Sequence, residues 1–146
     1  MDPVLIIKTG TTFSGIRKTF GDFEDWILRG MDCSSLNVRV VDACLGESVP
    51  EGKFSGVVIA GSHAMVTDHA PWSERLLPWI CRWIDNCTPM LGVCYGHQLM
   101  AHAMGGRVGE HSEGPEIGTV RISIRPEAIS DFLLGGYPSE FSAHVT

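Results

Sequence analysis

The chain has 146 residues and a formal net charge of −6 at pH 7, and 44% of its residues are hydrophobic. This length fits roughly one domain, at about 150 residues per domain, with enough apolar side chains for a core. Because phosphate groups repel an acidic surface, the charge argues against a nucleic acid or an anionic membrane as partner. The first residues lack a basic leader and a long apolar run, so the cytoplasm is the expected location.

The sequence contains five cysteines, an odd number, and no C-x-x-C pair. Their spacing relative to the histidines is not that of a zinc site, so we predict no disulfide framework, no metal and no cofactor. Four of the cysteines are expected to fill apolar gaps or to lie on loops: Cys33, Cys44, Cys81 and Cys87.

The first half of the chain alternates between strand and helix patterns. Residues 4–7 form a continuous apolar run, which is typical of a parallel strand buried on both faces. Apolar residues then recur every three or four positions from Ile16 to Ile27, which predicts one amphipathic helix that ends near Gly30 and is weakened by Gly21. Further strands are predicted over residues 36–41 and 54–60, on either side of a loop.

The third predicted strand ends at Gly61, and after a polar loop Pro71 suits the first turn of a helix. Pro78 falls inside the helical pattern, where it either kinks the helix or marks the start of regular hydrogen bonding. A fourth strand is predicted over residues 90–93. The next helix, which begins at Gly96, should stop at the glycine pair 105–106.

This alternation predicts an α/β fold with an open, mostly parallel sheet. In such folds ligands bind beyond the carboxyl ends of the strands, and both Gly61 and Cys94 follow such ends. From residue 107 onward the pattern changes. Residues 119–124 and 140–144 are predicted as strands, and residues 127–134 as a helix.

Cys94 lies in a G-x-C-x-G pattern between a short apolar run and a helical segment. The flanking Gly92 and Gly96 allow the chain to reverse tightly without a Cβ clash, which is the geometry of a nucleophile elbow. The unpaired N–H groups at the start of the helix favour thiolate over thiol at Cys94. They can also hold an oxyanion, and the N–H of Tyr95 is the natural donor.

The sequence Gly-Val-Cys-Tyr-Gly-His-Gln at residues 92–98 closely resembles the nucleophile motif of class I glutamine amidotransferases. The segment Gly-Pro-Glu-Ile-Gly at residues 114–118 is similar to the loop that follows the nucleophile helix in the stand-alone, GMP-synthase-like members of this triad-type family. The resemblance implies a flavodoxin-like, three-layer fold with helices on both faces of the sheet. It implies that Cys94 attacks the side chain of L-glutamine, releases ammonia and retains a thioester. A synthetase subunit or domain would receive the ammonia, or the chain would act as a stand-alone hydrolase.

The same resemblance implies roles for residues outside the elbow. The N–H groups of Gly61 and Tyr95 would stabilise the oxyanion, and Ser62, Gln98 and His144 would contact the substrate. From the residues alone, an ordinary turn at a strand end is the better explanation of Gly61, and Gln98 needs no role beyond its place in a first helical turn.

The triad histidine and glutamate of the family are not matched within the chain. The segment 111–113 has the required H-x-E spacing, but it follows the nucleophile helix too soon. The resemblance places the true pair after Thr146, so residues 1–146 are expected to be a single amidotransferase domain without its C-terminal part and with little glutaminase activity. The remaining histidines are expected on solvated loops or in helix packing: His63, His69, His97 and His102.

Three alternatives stay open at this point. Cys94 can be a small buried apolar residue without chemistry, as buried cysteines commonly are. The chain can be a γ-glutamyl hydrolase or related peptidase, which uses a similar cysteine elbow. It can also be a non-catalytic protein that only binds a ligand or a partner.

Overall fold

The computed structural model describes residues 2–31 and 36–145, so Cys33 lies outside the described residues. The chain forms two compact units, Met1–Val108 and Gly109–Thr146, and the single domain over residues 1–146 stays a prediction. The strands are β1 (Val4–Lys8), β2 (Val38–Asp42), β3 (Gly56–Ile59), β4 (Met90–Gly92), β5 (Gly118–Ser123) and β6 (Glu140–Val145). The helices are α1 (Ser14–Phe20), α2 (Phe23–Gly30), α3 (Pro71–Glu74), α4 (Leu77–Asp85) and α5 (Tyr95–Ala103).

A four-stranded parallel sheet of order β2-β1-β3-β4 forms the centre of the first unit. The chain leaves β1 for β2 on one side and then returns to the other side for β3 and β4. The direction of winding therefore reverses between β1 and β3, and ligands bind at the carboxyl ends of strands at such a point. The predicted α/β class with a mostly parallel sheet is confirmed.

Helices pack on both faces of this sheet, as predicted. Leu5 and Ile7 of β1 lie in one core cluster with Ile80 of α4 and Leu99 of α5. Successive side chains of a strand point to opposite faces, so Lys8 belongs to the other face. Its ammonium group donates hydrogen bonds to acidic groups at the start of α2, which covers that face.

The single helix predicted from Ile16 to Gly30 is wrong, because the structure divides it into α1 and α2. Gly21 has φ 82°, which no right-handed helix accommodates. Asp22 then begins α2 by accepting a hydrogen bond from the N–H of Phe23 at 3.0 Å. The apolar face is not continuous either, since α1 has no buried residue and Phe20 is 61% exposed.

The helical pattern after Pro71 also divides in two. Pro78 is the second residue of α4, where a missing N–H costs no helical hydrogen bond, so it marks the start of regular hydrogen bonding. The longest helices, α4 and α5, have nine residues each. Across residues 2–31 and 36–145, no helix has both the length and the apolar character needed to cross a membrane.

A nearly buried ionic network fixes the start of α2 against β1. Asp22 is 2% exposed, and its carboxylate accepts from Lys8 Nζ and from the N–H of Thr12, each at 2.8 Å. Desolvation opposes ionisation of Asp22, but these bonds and that from Phe23 outweigh it and lower the pKa of the carboxyl group. Desolvation is likewise the largest effect on Lys8, and hydrogen bonds to Asp22 and Glu24 overcome it and raise the pKa of the amine.

We expect Asp22→Asn to lower the free energy of unfolding at pH 7 by about 2 kcal/mol, since it weakens hydrogen bonds to a charged acceptor. A lowered carboxyl pKa stabilises the fold above the ordinary aspartate pKa of about 3.9, and this stabilisation is lost as pH falls through the folded-state pKa. Wild type and variant should therefore converge in acid. Urea unfolding followed by tryptophan fluorescence tests this, because all four tryptophans lie in the first unit.

The exposed Asp85 supplies a control for this prediction. Asp85→Asn should change stability by less than about 0.5 kcal/mol at every pH. A difference between wild type and Asp22→Asn that persists unchanged at pH 2 would contradict the assignment of the acid sensitivity to Asp22.

The second unit contains an antiparallel strand pair, β5 and β6, in which Thr119 lies opposite His144. The predicted helix over residues 127–134 is wrong: one 3₁₀ turn, Pro126–Ser130, is formed instead. The Asp131 side chain accepts hydrogen bonds from the N–H groups of Leu133 and Leu134. A side chain that binds the following N–H groups competes with the helical pattern, which explains the difference.

Candidate active site

Cys94 occupies a strained turn between β4 and α5. The N–H of Val93 still donates to the carbonyl of Ile59 at 2.9 Å, and the N–H of Gly96 already donates back to Val93 at 2.9 Å. Between them Cys94 has φ 49° and ψ −105°. This backbone conformation costs a residue with a Cβ about 1–3 kcal/mol and is concentrated at functional sites. The residue is exposed, so the turn presents Cys94 at the surface of the unit.

Two glycines make this turn sterically feasible. A Cβ on Gly92 would lie 2.5 Å from the backbone nitrogen of His97, and a Cβ on Gly96 would overlap the carbonyl oxygen of Ile59. The positive φ is carried by Cys94, so both glycines serve close backbone packing. The glycines therefore avoid the Cβ clash, as expected, and they let the first turn of α5 pack directly against β3.

The side chain of Tyr95 anchors the start of α5 in the core. Tyr95 is 1% exposed, and its hydroxyl group forms a 2.7 Å hydrogen bond with the buried Oγ of Ser73. Burial raises the pKa of Tyr95, while the hydrogen bond that its hydroxyl donates to Ser73 Oγ opposes this effect. The Tyr95 ring also packs against that of Trp72, with the ring centroids 5.5 Å apart. These contacts fix the position of Tyr95, the residue next to the candidate nucleophile. Sequence analysis did not identify Ser73.

Gly61 lies beside Cys94 at the carboxyl end of β3. A Cβ built on Gly61 would be 3.8 Å from the Cβ of Cys94. The buried hydroxyl of Thr9 is 2.8 Å from the carbonyl of Ala60 and 3.1 Å from that of Gly61, so it can bind either oxygen. Thr9 was not identified from the sequence, although its place after β1, at the same sheet edge, was the available signal.

The loops after β1 and β3 are in close contact. A Cβ on Gly10 would lie 2.8 Å from the Cα of Ser62 and 3.1 Å from the carbonyl oxygen of Gly61. Only glycine fits at this position without displacing the neighbouring loop. Gly10 was not identified from the sequence, and the structure gives it a part in positioning the segment beside Cys94.

Two backbone donors near Cys94 have no acceptor among the residues that the structure describes. Within the described residues of the first unit, the N–H groups of Gly61 and Tyr95 donate to no backbone or side-chain acceptor. Tyr95 is the first residue of α5, where N–H groups lack an intrahelical partner. An oxygen atom that gains negative charge next to Cys94 could therefore accept from them.

The predicted substrate contacts are in three different settings. Gln98 is half-buried in the first turn of α5, and its N–H donates to the Cys94 carbonyl at 3.1 Å. The Oγ of Ser62 accepts from the N–H of Ala64 at 3.1 Å. His144 is in the second unit, exposed within β6 rather than in a turn, with Nδ1 at 3.0 Å from Thr119 Oγ1. The substrate roles of Ser62, Gln98 and His144 stay predictions.

None of the described histidines of the first unit is hydrogen-bonded to the sulfur of Cys94. His63 packs against two phenylalanine rings, at centroid distances of 4.8 and 5.8 Å. His69 and His102 both face Glu74. The described part of this unit therefore contributes a candidate nucleophile and candidate oxyanion donors, but no imidazole paired with Cys94.

The other described cysteines differ from Cys94 in their surroundings. Cys44 and Cys87 lie in turns, as predicted, and Cys81 is half-buried in α4, where its thiol is 3.4 Å from the carbonyl of Ala103. Partial desolvation and the carboxylate of Asp42 raise the pKa of Cys44, against a smaller opposing effect of Lys8. None of the three lies at a helix N-terminus.

The chain is similar to a known protein family over most of its length. The family model described as glutamine amidotransferase class-I matches residues 19–143. Over 125 residues the chain is 40% identical to one of the subunits of the glutamine-hydrolysing GMP synthase of Methanococcus maripaludis, covering 84% of this chain and 60% of that protein. Over 91 residues it is 37% identical to γ-glutamyl peptidase 4 of Arabidopsis thaliana, covering 62% of this chain and 36% of that protein.

Solved structures agree on the fold. A glutamine amidotransferase from Methylobacillus flagellatus superposes with a TM-score of 0.73 at 26% identity, over 99% of this chain and 54% of that one. One from Thermotoga maritima gives a TM-score of 0.74 at 17% identity, over 99% of this chain and 60% of that one. The chain thus spans at most 60% of the length of each of these four relatives.

Proposed function

Because the chain belongs to the class I glutamine amidotransferase family, we propose that Cys94 is the nucleophile of a glutaminase reaction. The observation that carries this proposal is the exposed, strained position of Cys94 at the N-terminus of α5. A buried cysteine in apolar packing would need neither the positive φ nor the two close-packed glycines. Strain of this kind persists only where the surrounding structure enforces it.

In the proposed reaction the Cys94 thiolate attacks the side-chain carbonyl carbon of L-glutamine and forms a C–S bond. The carbonyl electrons move onto oxygen, which accepts hydrogen bonds from the N–H groups of Gly61 and Tyr95. The oxyanion electrons then re-form the carbonyl as the C–N bond breaks, and the nitrogen takes a proton from solvent and leaves as ammonia. A glutamyl thioester on Cys94 remains. Each oxyanion donor should contribute on the order of 100-fold in rate.

We further propose that Gln98 binds the polar end of the glutamine and that Ser62 belongs to the loop that lines its pocket. Water would release glutamate from the thioester, a step that requires a general base such as the histidine of the family's triad. The likeness to part of a GMP synthase supports a synthetase as the receiver of the ammonia.

A γ-glutamyl peptidase activity is the second candidate, since proteins of that name from Arabidopsis thaliana are 37% and 31% identical to this chain. The two reactions share the nucleophile, the oxyanion donors and the glutamyl thioester. They differ only in the leaving group, which is ammonia for glutamine and an amine for a γ-glutamyl peptide.

Incubation of the full chain with L-glutamine or a γ-glutamyl dipeptide separates these candidates. We expect L-glutamine to give a glutamyl adduct on Cys94 by mass spectrometry, with one equivalent of ammonia. Faster adduct formation from the dipeptide, with release of its amine, would favour the peptidase. Absence of an adduct from both compounds, with Cys94 intact and reduced, would overturn the proposed nucleophile.

We expect Gly10→Ala to slow labelling of Cys94 by a glutamine-derived chloroketone about tenfold, since small displacements of positioning groups are costly in rate. The added methyl group pushes the Gly61–Ser62 loop away, whereas Cys94 itself is not altered. Reaction with iodoacetamide, which needs no pocket, should change less than twofold. Gly30→Ala, at a site with open space, is the control. An equal slowing of both reagents would show a general loss of structure instead.

A further inference from the structure

Three side chains that the proposed reaction does not use point ligand atoms at one another in the first unit. His69 Nδ1 is 3.1 Å and His102 Nε2 is 3.8 Å from Glu74 Oε1. All three ligand atoms lie within 4.8 Å of one another. His69 follows the 3₁₀ turn after β3, Glu74 ends α3, and His102 is in the last turn of α5. Tertiary structure therefore assembles the cluster.

The spacing of these atoms fits a small divalent cation. Zinc bonds of ~2.0–2.1 Å to nitrogen and oxygen separate the ligand atoms of a tetrahedral site by about 3.3 Å. The two distances to Glu74 Oε1 bracket this value. The imidazole rings are tilted by 59° with centroids 5.3 Å apart, so their nitrogens converge on the carboxylate without face-to-face stacking.

The ligand types suit the same class of ion. Two imidazoles and one carboxylate form a set that proteins use for zinc, and imidazole also binds nickel, cobalt and copper. The side chains of His69, Glu74 and His102 are 60%, 38% and 27% exposed. An ion can therefore enter from solvent, and water can occupy the remaining coordination position.

We propose that His69, Glu74 and His102 bind a divalent transition-metal ion of the zinc class. His102 is eight residues after Cys94, about 12 Å along the axis of α5, so the site is distinct from the candidate nucleophile. The ion joins the segment that begins at Gly61 to the end of α5. It should therefore stabilise the loop beside the candidate active site without entering the reaction.

Calorimetric titration of the untagged full chain with Zn²⁺ tests the site. We expect one ion per chain and at least tenfold weaker binding, ~1.4 kcal/mol, in both Glu74→Gln and His102→Gln. His97→Gln, on the same helix but outside the cluster, should bind as wild type does. At ~100 times the dissociation constant, Zn²⁺ should raise Tm by ~5–10 °C.

Titration with Co²⁺ tests whether any of the four described cysteines is a ligand instead. Thiolate coordination of Co²⁺ gives an intense absorption band in the near ultraviolet. We expect weak visible bands without that absorption. Unchanged affinity in Glu74→Gln and His102→Gln, or a thiolate band, would identify an adventitious ion only and overturn the proposal. Absence of binding would leave two histidine–carboxylate ion pairs and overturn it as well. If His102→Gln fails to fold, the isosteric Glu74→Gln decides.

Discussion

Replacement of Cys94 by serine should lower the rate of modification by a glutamine-derived chloroketone more than ~100-fold. A hydroxyl group has almost no oxyanion form at neutral pH, and a thiol is as a class both more acidic and more nucleophilic. The substitution is nearly isosteric, and the turn geometry depends on Gly92 and Gly96, so the fold should be retained. Intact-mass spectrometry of the full chain measures the rate, and peptide mapping identifies the modified residue.

The chain supplies its own control for this experiment. Cys87 is exposed, carries a positive φ of 52° and lies outside the helices and strands, so Cys87→Ser removes an accessible thiol away from the elbow. Cys87→Ser should be labelled at the wild-type rate. An adduct that persists in Cys94→Ser, or that maps to Cys44 or Cys81, would contradict the assignment of the nucleophile.

The second large effect is expected for Gly96→Ala, which should lower the free energy of unfolding by about 3 kcal/mol or more. The new Cβ would overlap the carbonyl oxygen of Ile59, a backbone atom that cannot rotate away as a flexible side chain can. For a chain of this size the loss corresponds to a decrease in Tm of roughly 6–12 °C. Thermal unfolding followed by tryptophan fluorescence measures the change.

Gly15 is a close match for Gly96, because each is the second residue of its helix and only Gly96 is crowded. Gly15→Ala should be neutral or stabilising by up to about 1 kcal/mol, since alanine favours the helix. Equal Tm values for Gly96→Ala and wild type would show that α5 can move away from β3. The proposed role of Gly96 in packing the turn at Cys94 closely against β3 would then be incorrect.

Most of the fold follows from local patterns in the sequence. The continuous apolar run at residues 4–7 predicts a strand buried on both faces, and β1 occupies the centre of the sheet. The pattern after Ile16 was less informative, because periodicity counts apolar positions without regard to dihedral angles. Gly21 and the cap at Asp22 therefore divide a helix that periodicity alone would continue.

The candidate site, too, was predictable from the sequence only in part. The motif around Cys94 can be read directly, since a nucleophile elbow needs glycines at fixed offsets from one residue. Thr9, Gly10 and Ser73 carry no such signal. Their contacts with Gly61, Ser62 and Tyr95 join residues far apart in the chain, and those contacts exist only after the sheet has formed.

The sequence by itself determined the α/β class, the order of the main elements and the nucleophile elbow, because each depends on residues within a few positions of one another. Only the tertiary structure decided which side chains support that elbow and that His69, Glu74 and His102 converge. The physical reason is that the packing of helices and loops on the sheet brings together residues that are far apart in the sequence. The cluster therefore cannot be recognised from the local spacing of metal-ligating residues in the sequence.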